Sequence, residues 1–149
     1  MRAVVQRVAE ASVTVENQLV GQIGPGLLAF IGVAEGDGPA DMEYIASKIA
    51  GLRIFCDVHG RMNLAVSEVG GAVLLVSQFT LLGDARRGRR PAFDGAASSS
   101  IARAMYEALI LRMRADGLTV ATGEFQADMR VSLVNDGPVT ILLDSRRVF

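Results

Sequence analysis

One cysteine, one histidine and no tryptophan occur among 149 residues. The lone Cys56 excludes an intrachain disulfide and a cysteine-cluster metal site, and it suits a reducing cytoplasm, the expected location. With His59 as the only imidazole, serine or cysteine nucleophiles have no base to take their proton except one in a DVHGR turn. A histidine there is expected to face solvent, and Cys56 reads as a small core residue rather than a nucleophile. HExxH, CxxC, GxGxxG and GxxxxGK[ST] are all absent, so no metal, no cofactor and no nucleoside-triphosphate chemistry is expected.

Long apolar runs are missing too. The longest, Leu27 to Ala34 (LLAFIGVA), falls far short of a membrane span. The stretch MRAVVQRV alternates from its second residue, which is the pattern of a strand and not of a secretory leader. Neither sign of charge is in surplus, with a formal net charge of −1. That argues against a broad basic face for DNA and requires any basic site to be local.

What is present is the composition of a soluble globular domain: 50% of the residues are apolar and 21% charged. The whole chain, 1–149, reads as one domain without repeats, linkers or low-complexity tracts. Period-two alternation predicts strands over Arg2 to Val8, Ala11 to Glu16 and Leu19 to Ile23, followed by a more buried strand over Leu27 to Val33. Pro39 opens a segment whose Met42, Ile45, Ala46 and Ile49 share one helical face. Asp41 and Glu43 lie early in it, Lys48 late, and Gly51 stops it.

LRIF (Leu52 to Phe55) predicts a short strand and Asp57 to Gly60 a turn. AVLLVSQFTL predicts one central strand over residues 72–81. Serines 98 to 100 cap a second predicted helix reaching about Asp116, with Ile101, Met105, Ala108, Leu109 and Met113 as its apolar stripe. Strands near Val120 to Phe125, Met129 to Val134 and Val139 to Asp144 complete the pattern. The last two flank NDGPVT, which reads as a hairpin tip with an unusual proline at Pro138.

Three stretches carry chemistry. The run DARRGRRPAF places Arg86, Arg87, Arg89 and Arg90 around one glycine, and it fits either a solvated loop or a local phosphate site. Scarce aromatics argue against a general platform for stacking single-stranded bases. SQFTL holds Ser77, Gln78, Phe79 and Thr80 at the end of the apolar strand. Its hydroxyls either satisfy backbone groups or, with neighbouring N–H groups, face a cleft and stabilise an oxyanion. NDGPVT is the third.

SQFTL followed about sixty residues later by NDGPVT resembles the paired motif of the D-aminoacyl-tRNA deacylases (the D-tyrosyl-tRNA deacylase family). MRAVVQRV, GPGLLAFIGVAEGD, LRIF, the RRGRRP loop and ADMRVSLVNDGPVT follow in the same order. The resemblance implies an α/β fold of α+β type, with a mainly antiparallel, barrel-like sheet core flanked by two main helices. It implies a homodimer with sites at the interface, where one subunit's Gly137-Pro138 tip, joined by a cis peptide, enters the pocket around the partner's SQFTL.

It further implies that Ser77, Gln78, Phe79 and Thr80 form the catalytic stretch and that Phe79 receives the terminal adenosine of tRNA. Met129 and Phe125 would line the pocket, Arg7 would brace the tip, and the four arginines would contact tRNA phosphates. Where the family carries hydroxyl residues in that loop, this chain has Ala85 and Ala92. The implied reaction is hydrolysis of D-aminoacyl-tRNA, and of glycyl-tRNA, with L substrates rejected. A noncatalytic RNA-binding dimer, a small-ester hydrolase indifferent to RNA and a purely structural dimer are the rival readings.

Overall fold

Arg2–Val15 forms one strand, β1, where alternation predicts two. The computed structural model, which describes residues 1–149, shows why the pattern breaks. Pairing between β1 and the last strand slips between Val8 and Glu10. One extra residue in β1 reverses the alternation, so Ala3 and Val5 join one core while Val8, Ala11 and Val13 join another. One edge of β1 pairs antiparallel with β3 (Gly26–Gly32) through Arg2 to Val8 and with β2 (Gln18–Ile23) through Ala11 to Val15. The other edge is covered from end to end by β8 (Met129–Asp144).

The helix α1 spans Pro39–Gly51, as predicted. Proline starts it without losing a bond, the Asp41 carboxylate accepts the Gly38 N–H at 2.9 Å, and Ile45, Ala46 and Ile49 are buried. Helix α2 spans Ser99–Ala115. Ser98 is its N-cap residue, but no serine side chain caps it. Its buried face is rotated from the predicted stripe to Tyr106, Leu109, Ile110 and Met113, and Ile101 is exposed. The buried hydrogen bond from the Tyr106 hydroxyl to the Leu75 carbonyl, at 2.7 Å, favours this rotation.

The sheet is mixed rather than mainly antiparallel. β3 pairs in parallel with β6 (Ala72–Ser77), and β6 in parallel with β7 (Thr119–Thr122). Parallel neighbours need a long crossover, and α1 and α2 are those crossovers. The larger core lies between the helices and one face of the sheet. The smaller core, with Val8, Ile23, Leu28 and Leu74, fills the inside of the curled strands. β2 curls back until a side chain at Gly21 would strike the Thr122 carbonyl of β7, so the sheet is a nearly closed barrel.

Two further predictions are corrected here. LRIF contributes only Phe55 to a strand: β4 (Phe55–Cys56) pairs with β5 (Met62–Leu64) as a separate ribbon. Cys56 on that ribbon is exposed and is not a core residue. His59 faces solvent in the connecting turn, as expected, and its N–H donates to the Asp57 carboxylate at 2.8 Å. A bond from the Arg61 N–H, and after it the one from His59, hold the Asp57 carboxyl below the usual carboxylate range.

Candidate active site

Parallel strands end together, and ligands of α/β sheets gather where they do. A cavity of about 560 Å³ opens at the carboxyl ends of β3 and β6, beside the chain leaving β7. β6 stops at Ser77, where AVLLVSQFTL predicts four more strand residues. The Gln78 N–H makes a last bond to the Ile31 carbonyl at 2.7 Å, and Phe79–Leu82 then turns into a 3-10 helix. Gly32 makes this turn feasible, because a β-carbon there would sit 2.5 Å from the Leu82 side chain. Ser77 and Gln78 are half-buried, whereas Phe79 and Thr80 are exposed.

The opening turn of this helix leaves N–H groups of Phe79 and Thr80 without partners in the helix itself. The Gln78 side-chain amide donates to the Thr80 hydroxyl, which fixes the short segment from within. Ser77, Gln78 and Phe79 line the cavity, and Thr80 stands at its edge outside the lining.

Residues from elsewhere complete the walls. Ala96 and Ala97 lie against the end of β3, with the Ala97 N–H donating to the Val33 carbonyl at 3.0 Å. Tyr106 rises from α2, and burial pushes its phenol well above the usual tyrosine range. β7 is shorter than predicted, so Phe125 lies in the loop after it, where its ring faces Tyr106 at 6.0 Å. The Arg103 guanidinium covers Phe125 at 4.6 Å from the ring centre. Met129 closes the side, and a β-carbon at Gly123 would press on its sulfur at 2.6 Å.

Arg7, Gly137 and Pro138 are not among the residues lining this cavity. NDGPVT is not a hairpin tip: β8 continues through it along β1. Gln6 pairs with Thr140 and Val8 with Asn135, so the four residues 136–139 stand opposite Arg7 alone. The excess bulges outward as an exposed tip. Asn135 closes its base, with one side-chain amide nitrogen 2.9 Å from the carbonyls of both Arg7 and Val139. Arg7, 9% exposed, donates through Nε to the Asp136 carbonyl at 3.1 Å and through Nη1 to the Ile54 carbonyl at 2.5 Å. The Gly137-Pro138 peptide is cis, and Gly137 has φ of +123°.

The arginine loop has its own order. Asp84 and Ala92 exchange backbone hydrogen bonds at 2.8 and 2.9 Å, and residues 85–91 project between them. Arg86 is not free within it. Its Nε and Nη2 grip the two Asp84 oxygens at 2.9 and 2.6 Å, which holds the Asp84 carboxyl well below the usual carboxylate range. Arg87, Arg89 and Arg90 are exposed and form no salt bridge.

Sequence reading thus named five of the cavity's residues, Ser77, Gln78, Phe79, Phe125 and Met129, and missed Tyr106, Ala96 and Ala97. Tyr106 left one signal, a polar-tipped aromatic at helical spacing from Leu109, Ile110 and Met113.

Over residues 4–144 the chain matches the family described as D-Tyr-tRNA(Tyr) deacylase. The chain belongs to this family. A protein of Anaeromyxobacter dehalogenans (strain 2CP-C) called D-aminoacyl-tRNA deacylase is 62% identical over 149 residues, which cover both chains completely. One of the same name from Syntrophobacter fumaroxidans (strain DSM 10017 / MPOB) is 58% identical, again over the full length of both. Among solved structures, a c-Myc DNA Unwinding Element Binding Protein superposes with a TM-score of 0.91 at 36% identity, covering 97% of this chain and 98% of its own.

Proposed function

We propose that this protein, acting through the whole chain as one domain, hydrolyses the ester joining a D-aminoacyl group to the terminal ribose of tRNA. The observation that carries this reading is the cavity itself. In a chain of the deacylase family, Ser77, Gln78 and Phe79 meet Phe125 and Met129 at the ends of parallel strands. The ester is already activated, so positioning and one or two oxyanion donors suffice. The N–H groups of Phe79 and Thr80 are those donors. Water adds to the acyl carbon, the ribose oxygen leaves with a proton, and the neighbouring 2′-hydroxyl assists.

Selection of hand falls to Gly137 and Pro138. The tip stands out from its own chain's β8 and away from its own cavity, which suits a homodimer in which each tip enters the partner's cavity. Carbonyl oxygens of the tip then hold the substrate ammonium, an L side chain collides with the Gly-Pro backbone, and a D side chain points outward. Glycine has no side chain to collide, so glycyl-tRNA is also a substrate. The free arginines take tRNA phosphates, and the setting is the cytoplasm, where tRNA is charged.

The test is deacylation of one D-aminoacyl-tRNA and its L counterpart at equal, limiting enzyme, together with the mass of the protein in solution. Loss of the D ester alone by a dimer is expected. Equal inertness toward both esters would overturn the reading, and a fully active monomer would remove the partner's tip from it.

A further inference from the structure

Scarce aromatics in the sequence give no hint of a base-stacking surface, yet the fold builds one. Phe79 and Phe93, fourteen positions apart, meet edge to face with ring centres 5.1 Å apart and planes at 65°. Phe79 lines the cavity and still leaves 57% of its surface in solvent. Phe93 is partly buried beside it.

The position of Phe93 is fixed on both sides. The Asp84 and Ala92 exchange immediately precedes it, and its own carbonyl accepts the Ala96 N–H at 2.9 Å. Gly83 makes space for the ring: a β-carbon there would lie 3.0 Å from Phe93 Cε1. Phe93 therefore stands between the cavity wall at Ala96 and Ala97 and the projecting loop with Arg87, Arg89 and Arg90. An RNA strand that leaves the cavity toward those arginines crosses the two rings.

We infer that the Phe93 ring, held edge to face by Phe79, forms a stacking platform for the unpaired nucleotide that precedes the terminal adenosine. This rests on the reading of the cavity as the seat of the esterified 3′ end. Every base has a π-face, so such a platform grips any base without reading its identity. It gives the enzyme a hold on RNA that a free amino-acid ester cannot offer.

The test compares wild type, Phe93→Leu and Phe93→Tyr on three substrates. These are D-aminoacyl-tRNA, the same RNA with an abasic residue before the terminal adenosine, and D-aminoacyl-adenosine. Loss of one stacked base raises KM by about 5- to 150-fold. That rise is expected for Phe93→Leu on intact tRNA, with kcat little changed and Phe93→Tyr restoring KM. The abasic RNA raises the wild-type KM by a similar factor, a measurement that holds even if Phe93→Leu fails to fold. Phe93→Leu adds nothing further on the abasic RNA or on D-aminoacyl-adenosine.

A wild-type enzyme indifferent to the abasic residue overturns the platform while leaving the deacylase reading intact. So does an equal KM rise for Phe93→Leu on all three substrates, which marks a structural role only. A wild type that hydrolyses none of the three overturns the deacylase reading, and the platform falls with it.

Discussion

Arg7 holds Asp136 across 129 positions of sequence, its Nε 3.1 Å from the Asp136 carbonyl and 3.2 Å from one carboxylate oxygen. The same guanidinium holds the Ile54 carbonyl, so one side chain ties the bulge of β8 to the segment after α1. Replacing it with Met takes this donor from the buried Ile54 carbonyl, at a cost of about 1–3 kcal/mol. Urea unfolding of Arg7→Met is expected to show that loss, and the ratio of D- to L-aminoacyl-tRNA turnover is expected to fall as the tip loosens. A variant with unchanged midpoint and unchanged ratio removes Arg7 from the brace.

Thr80 separates two chemical readings of SQFTL. With backbone N–H groups as oxyanion donors, Thr80→Ala keeps them and loses only the hydrogen bond from Gln78, so kcat is expected to fall by no more than about tenfold. Were the hydroxyl the nucleophile, its removal would cost at least the factor of about 10²–10³ seen when a single oxyanion donor is lost. Single-turnover deacylation distinguishes the two.

Arg86 is expected to differ from its neighbours. Each phosphate contact contributes about 0.7–0.9 to the slope of log affinity against log salt. Neutralising Arg87, Arg89 or Arg90 to Gln should reduce the slope of tRNA binding by that amount per contact made. Arg86→Gln should leave the slope nearly unchanged, because its guanidinium is already committed to Asp84. A full reduction for Arg86→Gln would show that it exchanges Asp84 for phosphate.

Tyr106 gives the fold an alkaline limit. Burial raises its pKa, so the folded protein holds the phenolic proton more tightly than the unfolded chain does. Its contribution is complete below the unfolded value near 10 and declines as pH rises above that toward the higher folded value. Tyr106→Phe should lose this decline and cost about 0.5–1.5 kcal/mol at neutral pH, since the Leu75 carbonyl still accepts the Gly123 N–H at 2.9 Å. Thermal melts of both proteins between pH 7 and about pH 11 check the sign.

Helix α1 shows how far local chemistry reaches. Proline at its start, an early aspartate, one apolar face and a terminal glycine all act within a few residues, and the helix has the predicted bounds. The order strand, helix, strand, helix, strand also contained the parallel pairing of β3, β6 and β7, although alternation alone favoured an antiparallel sheet. In β1 the broken alternation was a true signal. It marked a bulge and not a turn, and only the partner strand distinguishes the two.

The sequence by itself determined where helices and most strands form and that Ser77 to Thr80 would lie at the end of a buried strand; at NDGPVT it signalled a break in regular pairing but placed a hairpin tip there. Those properties follow from torsional preference and short-range burial. Tertiary structure decided that NDGPVT is a bulge in one continuous strand, that Arg7 reaches Ile54 and Asp136, that Asp84 takes Arg86, and that Phe93 meets Phe79. Each depends on strand register or on loops brought together from distant positions, and no local interaction encodes either.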